Sequence, residues 1–344
     1  MKVADSLNVN VVIPTYKTRD TIFRLLASLE KQSYKDFNVM VVYKKWEGYK
    51  DTLSEIKAYD KLDINFIEQD EGLFEEALNT IYRKADGDIV IHTDDDAYAS
   101  KNWVKDHIEL HKKHKEVGIA TGLVEENTFP DGTPLPFFKR FIRSQQWRMN
   151  KHTIIDRPID EKFKNYGMYI GRSGMLVDTG RKYNMIRTFK QHGVNMSWKQ
   201  DALYGFKLPC YTKQGGRNEA AAALEVLDRG YSPIWFGRGT IHHPLQKSDS
   251  RGVAIKSLPE ELTAESVIFS YYVSKTKKYK VDLALLKKRT MLLDNTLSHF
   301  FTFGKNKGYR IGYNITQEAI LHKWSPQRVR NALIKALSHE RSTI

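Results

Sequence analysis

The sequence predicts an α/β protein of the doubly wound type, in which a mostly parallel sheet is flanked by helices. Two observations carry this prediction. Short β-branched runs alternate with amphipathic helical patterns over the first 100 residues, and three consecutive aspartates follow one of the apolar runs. Because ligands bind at the carboxyl edge of such a sheet, Asp94, Asp95 and Asp96 mark the expected site.

The predicted elements follow one another in a regular order. Each predicted strand is a run rich in valine and isoleucine, and each predicted helix has an apolar stripe. The predicted strands are 9–13, 37–43, 64–68 and 89–91, and the helices between them are 20–32, 53–59 and 73–84. Parallel strands need crossover connections, so the alternation predicts right-handed strand–helix–strand units.

Length and charge limit the class of protein. The chain has 344 residues and a formal net charge of +14, which predicts attraction to nucleotide phosphates, nucleic acid, anionic lipid or an acidic glycan. The single cysteine, Cys210, excludes an internal disulfide and a cysteine-rich zinc site, and we expect it to be a packing residue. The N-terminus lacks a signal-peptide pattern and no window resembles a membrane span. We therefore expect a cytoplasmic protein, either soluble or peripheral at a membrane.

The aspartate run predicts a metal site. Alternate side chains of a strand point to one face, so Asp94 and Asp96 are expected to share a site. Neighbouring carboxylates repel unless a cation offsets their charge, and Mg²⁺ or Mn²⁺ suits oxygen ligands. The alternative is a solvated loop, or the N-cap of a helix that begins near Asn102.

Several segments share their order and spacing with one known family. They are 11–16 (Val-Val-Ile-Pro-Thr-Tyr), 71–79, the turn at 85–88, the aspartates, 192–197, 216–219, 230–231 and 241–244. Together they resemble the catalytic domain of glycosyltransferase family 2, which has the GT-A fold, over roughly residues 8–250. The resemblance implies an inverting enzyme that moves a sugar from a nucleotide-diphosphate donor, a UDP-sugar above all, to a glycan or lipid-linked hydroxyl.

The resemblance also implies roles for particular residues. Glu219 is the candidate base. The expected metal ligands are Asp94, Asp96 and His243, or His242 in its place, with Mn²⁺ or Mg²⁺ as the ion. The expected donor-binding residues are Pro14, Thr15, Tyr16, Asp94, Asp95, Lys247 and Arg251. The expected acceptor-side residues are Asn195, Met196 and Asn218.

Each role has a structural alternative. Glu219 can be an acid that the helix dipole stabilises at a helix N-terminus. The histidine can simply be hydrogen-bonded within a loop. Lys247 and Arg251 can form a lid over the diphosphate or be solvated loop charges.

Two departures from the family pattern affect the expected site. The second strand of the family usually ends in an acidic pair that recognises the nucleotide base, whereas here it runs into Tyr43-Lys44-Lys45-Trp46. The sequence therefore does not identify the nucleotide base of the donor. The family's Glu-Asp motif is Asn218-Glu219 here, which keeps one carboxylate at the second position.

Two further regions carry alternatives. Residues 127–136 predict a surface loop, and 137–151 interleave aromatic with basic residues, as in a single-stranded nucleic-acid groove, an interfacial helix or a helix with a buried aromatic stripe. We divide the chain into a catalytic domain at 1–255 and a basic helical region at 256–344. That tail has 16 lysines and arginines against 7 aspartates and glutamates, and so +9 of the net charge. Its helices are expected to begin near Pro259, after Asp282 and at Pro326.

We expect the tail to dock on an anionic membrane near the acceptor, and the donor site not to need it. The alternative is a solvated helical bundle. Two other functions stay open: glycosyl transfer to nucleic acid, which the charge favours, and non-catalytic binding of nucleotide sugars by a degenerate site. A nucleotidyltransferase would not need the motifs around Glu219 and His243.

Overall fold

The protein is built on a central eight-stranded sheet with helices on both faces. The structure is a computed structural model that describes residues 7–17, 20–125, 156–181, 184–244, 258–296 and 307–339. The segment predicted at 127–151 lies outside the described residues, as do Lys247 and Arg251.

The helices and strands have the following bounds. The strands are β1 (Val9–Thr15), β2 (Asn38–Tyr43), β3 (Asp63–Glu68), β4 (Ile89–His92), β5 (Tyr98–Ala99), β6 (Val117–Thr121), β7 (Val124–Glu125), β8 (Met168–Ile170), β9 (Leu176–Asp178), β10 (Met185–Arg187), β11 (Met196–Lys199), β12 (Ser232–Phe236) and β13 (Ile241–His242). The helices are α1 (Asp20–Glu30), α2 (Tyr49–Ile56), α3 (Phe74–Lys84), α4 (Trp103–Lys113), α5 (Gln200–Leu203), α6 (Asn218–Asp228), α7 (Leu258–Lys275), α8 (Leu283–Thr296), α9 (Gly308–Leu321) and α10 (Pro326–His339).

The large sheet has the strand order β10-β12-β6-β11-β4-β1-β2-β3. Strands β1 to β4 pair in parallel, and so do β6 and β12. Strand β11 is antiparallel to both of its neighbours, β4 and β6, and β10 is antiparallel to β12. The predicted mostly parallel α/β architecture is therefore confirmed.

Successive residues of β1 enter opposite cores, as strand geometry requires. Val11 and Ile13 pack with α1, α2 and α4 on one face. Val12 packs with α3, α6 and the C-terminal helices on the other. The fully apolar character of the central strands follows from this double burial.

The structure moves some predicted boundaries. Helix α2 begins at Tyr49 rather than Leu53, directly after Gly48, whose φ of 79° favours glycine. Strand β4 ends at His92, so the aspartates lie in the turn that follows and not on the strand.

Helix α9 has no counterpart among the predicted elements. It begins with two glycines within five residues, which gives it a poor intrinsic helix propensity. It forms because it packs on α7, where Gly312 lies so close that an added Cβ would sit 2.6 Å from the carbonyl oxygen of Ala264. Tertiary packing overrides local preference here.

The C-terminal helices share a core with the sheet region. The rings of Tyr211 and Tyr272 stack with centroids 5.8 Å apart, and Phe269 and Tyr272 of α7 belong to the same apolar cluster as Ala221 of α6. A domain boundary at residue 256 stays a prediction. Within the described ranges, no helix is both long and apolar enough to cross a membrane.

Candidate active site

A turn after β4 brings two acids to a distant histidine. Asp94, Asp96 and His243 each offer one ligand atom, and these atoms all lie within 4.8 Å of one another. His243 Nε2 is 3.1 Å from Asp96 Oδ1. The short sheet of β5, β13 and β7 makes this possible, because β13 pairs with β5 and so carries His243 back to the aspartates. We expected Asp94 and Asp96 to converge because alternate residues of a strand share a face. They converge instead because they lie in a turn.

The neighbouring histidine points elsewhere. His242 Nδ1 lies 2.9 Å from Glu125 Oε2, and its ring stacks on Tyr98 with centroids 4.7 Å apart. His243, rather than His242, therefore faces the aspartates.

The middle aspartate holds the turn. Asp95 is only 9% exposed, and its Oδ2 accepts a hydrogen bond of 2.6 Å from Thr15 Oγ1 at the end of β1. The polar groups of these two expected donor-binding residues thus bind each other, and they fix the Asp94–Asp96 turn against the sheet.

A first cavity of about 320 Å³ opens at the carboxyl ends of β1 and β2. Pro14, Thr15 and Tyr16 line it together with the three aspartates, as expected for a donor site. The ring of Tyr16 meets that of Trp46 edge-on at 6.5 Å. An aromatic pair therefore stands at this edge of the sheet.

The first cavity also contains residues that the sequence analysis did not assign. The polar ones among them are Lys44, Gln69, Lys213 and Gln214. The basic run at 43–46 was a signal for Lys44, whose Nζ donates a 2.7 Å hydrogen bond to the carbonyl oxygen of Gly72. No local pattern pointed to Lys213 or Gln214.

A second cavity of about 440 Å³ adjoins the first. Asp94, Phe74 and Gln214 line both cavities, so the two meet at the aspartate turn. Of the expected residues, Met196, Asn218, Glu219 and His243 line the second cavity.

Glu219 lies in the first turn of α6 and faces the second cavity. Burial raises the pKa of its carboxyl to about 7, and the Asp94 carboxylate adds to that rise. The Arg217 guanidinium and the Gly193 N–H, which donates to the carboxyl, oppose the rise. A Cβ at Gly193 would lie 3.0 Å from Glu219 Oε1, so the contact favours glycine there. A carboxyl with a pKa near neutrality is well matched to proton transfer.

Asn195 lies in the core rather than at a cavity. Its side chain is fully buried, accepts a 2.8 Å hydrogen bond from Trp103 Nε1, and donates to the carbonyl oxygens of Leu123 and Gly239 at 2.8 and 2.7 Å. The acceptor-side position expected for Asn195 is therefore not observed. It ties the start of β11 to the loops that flank β7 and β13.

Helix α7 holds the loop that separates the two cavities. The carboxylate of Glu265 accepts hydrogen bonds from the backbone N–H groups of Lys213, Gln214 and Gly216 at 2.7, 2.8 and 2.7 Å. Lys213 Nζ also forms a 2.7 Å salt bridge with Glu261. This loop, residues 212–217, leads directly into Glu219.

Helix α10 fixes the same loop from the other side. The guanidinium of Arg330 binds Glu75 and Glu76 of α3, and its Nε donates a 2.7 Å hydrogen bond to the carbonyl oxygen of Thr212. Glu75 in turn accepts a 2.6 Å hydrogen bond from Thr212 Oγ1. Helices of the tail therefore contact the loop that lines both cavities. The expectation that the donor site does not need the tail stays a prediction.

Comparisons with known proteins support a common fold. Residues 10–164 match the model of the glycosyl transferase family 2 family, which confirms the predicted resemblance over that range. No curated protein matches the sequence.

Similar solved structures include the mannosyltransferase PcManGT from Pyrobaculum calidifontis in complex with GDP-Man and Mn²⁺, at 16% identity and a TM-score of 0.52, covering 97% of this chain and 86% of that one. GalNAc-T7 with UDP, GalNAc and Mn²⁺ has 15% identity and a TM-score of 0.57, covering 90% and 55%. S. aureus TarS 1–349 in complex with UDP-GlcNAc has 16% identity and a TM-score of 0.50, covering 94% and 82%. This chain thus spans about half the length of GalNAc-T7. The shared architecture is the predicted GT-A fold.

Proposed function

We propose that this protein is an inverting glycosyltransferase that uses a nucleotide-diphosphate sugar and a divalent metal. The match of residues 10–164 to glycosyl transferase family 2 supports the proposal. The observation that carries the proposal is the meeting of Asp94, Asp96 and His243 at the junction of two cavities, with Glu219 on the wall of the second. One cavity suits the donor and the other the acceptor.

The three ligand atoms fit a divalent ion. Two carboxylate oxygens and one imidazole nitrogen form a mixed set that suits Mn²⁺ better than Mg²⁺, which prefers oxygen ligands. Similar structures with nucleotides and Mn²⁺ support this choice. When bound, the ion would neutralise charge on the diphosphate leaving group.

The first cavity supplies the donor contacts. Tyr16, with Trp46 edge-on to its ring, offers aromatic surface to the nucleotide base, and Lys44 places positive charge beside the phosphates. Similar structures contain GDP-Man or UDP-GlcNAc, so the donors to be tested include both GDP-sugars and UDP-sugars. UDP-sugars are tested first.

The second cavity contains the general base, Glu219. The oxygen of the acceptor hydroxyl bonds to the anomeric carbon while the hydroxyl gives its proton to Glu219. The bond from the anomeric carbon to the diphosphate oxygen breaks in the same step. One displacement inverts the anomeric centre and needs no enzyme nucleophile. Burial raises the pKa of Glu219 to about 7, which makes its carboxylate a stronger base toward the hydroxyl.

The acceptor class follows less directly. We propose a glycan or lipid-linked hydroxyl, and peripheral contact with an anionic membrane, because the tail carries +9 of the net charge. Binding of DNA or RNA with a steep salt dependence would instead favour a nucleic-acid acceptor.

The test is donor turnover with a metal. Purified protein is incubated with Mn²⁺ and a panel of UDP- and GDP-sugars, and the released nucleotide and any glycosylated product are read by mass spectrometry. Asp96→Asn should lower turnover at least 100-fold. The matched control is Asp60→Asn, which removes an exposed carboxylate and should retain full activity. Full turnover in chelator, or donor binding without turnover in the parent protein, would overturn the proposal.

A further inference from the structure

The sugar of the donor has to lie where the two cavities meet. In the proposed reaction its anomeric carbon stands between the diphosphate, at the aspartate turn, and the acceptor hydroxyl, at Glu219. Three residues line both cavities and therefore surround this point: Phe74, Asp94 and Gln214. Asp94 belongs to the metal cluster. The other two have no role in the reaction as it is proposed.

The side-chain amide of Gln214 is fixed in one orientation. Its Nε2 donates a 2.9 Å hydrogen bond to Glu261 Oε2, and Lys213 Nζ donates to the other oxygen of that carboxylate at 2.7 Å. A carboxylate only accepts hydrogen bonds, so the NH₂ group of Gln214 has to face Glu261 and the amide oxygen has to face away. The Glu261 side chain is 1% exposed, so water does not compete for its oxygens.

The oxygen of this amide remains for a ligand. Gln214 is among the described residues that line both cavities, and Glu261 is among those that line neither. No described residue donates a hydrogen bond to Gln214 Oε1. The oxygen is therefore a fixed hydrogen-bond acceptor at the point where the cavities meet, and a ligand can satisfy it only with a donor group.

The backbone around Gln214 is held as well. Its N–H donates a 2.8 Å hydrogen bond to Glu265, four residues after Glu261 on α7. The next residue, Gly215, has a φ of 75°, which favours glycine, and an added Cβ there would lie 2.8 Å from Phe74 Cδ1. The Phe74 ring thus packs against the same loop. The acceptor oxygen and the aromatic ring keep their positions before a ligand arrives.

A sugar ring complements this wall. Its hydroxyl or acetamido groups donate hydrogen bonds, and its C–H groups can pack on the negative face of an aromatic ring. The diphosphate of the donor suits the same oxygen poorly, because phosphate oxygens without a proton only accept hydrogen bonds. The chemistry of Gln214 therefore favours contact with the sugar over contact with the phosphates.

We propose that Gln214 determines sugar specificity, with its Oε1 accepting a hydrogen bond from one hydroxyl or acetamido N–H of the transferred sugar while the C–H face of that sugar packs on Phe74. This inference rests on the proposed function, since it places the anomeric carbon between the aspartate turn and Glu219. A site built around a fixed acceptor rejects the analogue that lacks the donor group, because the oxygen is then left unpaired.

The test measures dissociation constants by titration calorimetry for the full chain with Mn²⁺. The probes are UDP-glucose, UDP-N-acetylglucosamine and GDP-mannose, with analogues of each in which hydrogen replaces the hydroxyl or acetamido group at C2, C3, C4 or C6. At one carbon, the replacement should weaken binding to the parent protein by about three- to tenfold, the effect of one neutral hydrogen bond. That penalty should disappear in Gln214→Met, which keeps the length of the side chain. At the other carbons the penalty should be the same in both proteins.

Three controls accompany this comparison. Free UDP and GDP should bind the parent protein and Gln214→Met equally, because the proposed contact is with the sugar. Gln327→Met changes an exposed glutamine on α10 that donates to Asn331 of the same helix and lines neither cavity, so it should keep every penalty. Melting temperatures check that each variant is folded.

A further variant, Glu261→Gln, tests the fixed orientation itself. An amide both donates and accepts hydrogen bonds, so it no longer holds the Gln214 amide in one direction. The penalty at the recognised carbon should therefore shrink without disappearing. An undiminished penalty in Glu261→Gln would show that Glu261 does not orient Gln214.

Two outcomes would overturn the inference. If every penalty is the same in the parent protein and in Gln214→Met, the amide oxygen contacts no group of the sugar. If Gln214→Met weakens free UDP or GDP as much as the nucleotide sugars, Gln214 binds the nucleotide instead. Both results leave Mn²⁺-dependent donor turnover by the parent protein intact. Failure of the proposed function looks different, because the parent protein then binds none of the three donors or binds them without turnover.

Discussion

Replacing Arg330 by methionine should destabilise the protein by about 3–5 kcal/mol, the cost typical of removing one partner of a buried ion pair. The Arg330 side chain is 7% exposed and the Glu75 side chain 1% exposed, so water cannot replace the lost guanidinium. Methionine keeps the apolar stem, which isolates the effect of the charge. The Glu75 carboxyl would keep only its contacts with Thr212.

The expected change in melting temperature follows from the size of the chain. Unfolding entropy is about 2.1 cal/mol/K per residue, or roughly 0.7 kcal/mol/K for this protein, so the melting temperature should fall by about 4–7 °C. The effect should also depend on pH. Burial raises the pKa of Glu75 to about 7 while Arg330 opposes the rise, so removing Arg330 raises that pKa further. A carboxyl whose pKa is higher in the folded state loses its stabilising contribution as the pH rises through that value. The deficit of the variant should therefore grow above pH 7.

The assay is thermal unfolding at pH 5.5 and pH 8, with Arg328→Met as the control. Arg328 lies on the same helix but is exposed, with its guanidinium 4.4 Å from the Trp324 ring centroid, so its loss should cost about 1 kcal/mol or less. Adding Glu75→Gln to Arg330→Met should recover part of the stability, because the unpaired acid is removed. Equal melting temperatures for the two methionine variants would refute the reasoning.

Three further predictions concern the site. Glu219→Gln should lower turnover about 10²–10⁴-fold and leave donor affinity unchanged. Turnover of the parent protein should rise about tenfold from pH 6 to pH 8, because the pKa of Glu219 is about 7. A flat pH profile would contradict this role. His243→Gln should weaken Mn²⁺ binding at least tenfold in a metal titration, whereas His242→Gln, which changes a ring stacked on Tyr98, should not. Glu265→Gln removes the charge that three backbone N–H groups bind, so KM for the donor should rise several-fold in steady-state kinetics; an unchanged KM would leave Glu265 without a positioning role.

Local patterns in the sequence were enough to predict the architecture of the first half of the chain. Periodicity of apolar residues and turn signals are local properties, and they located β1 to β4 and α1 to α3 to within a few residues except at the start of α2. The same local signals placed Glu219 at the start of a helix. The helix boundaries were least accurate where a glycine conformation decided them, as at Gly48.

Other features needed the tertiary structure because they join residues far apart in sequence. His243 and Asp96 are 147 positions apart, and Arg330 and Glu75 are 255 apart. Strand β11 enters the sheet antiparallel between β4 and β6, which no alternation of strands and helices indicates. It places Asn195 in the core and Met196 at the second cavity. Such contacts depend on how completed strands and helices pack, since apolar burial is non-directional and periodicity specifies only which face of an element is buried.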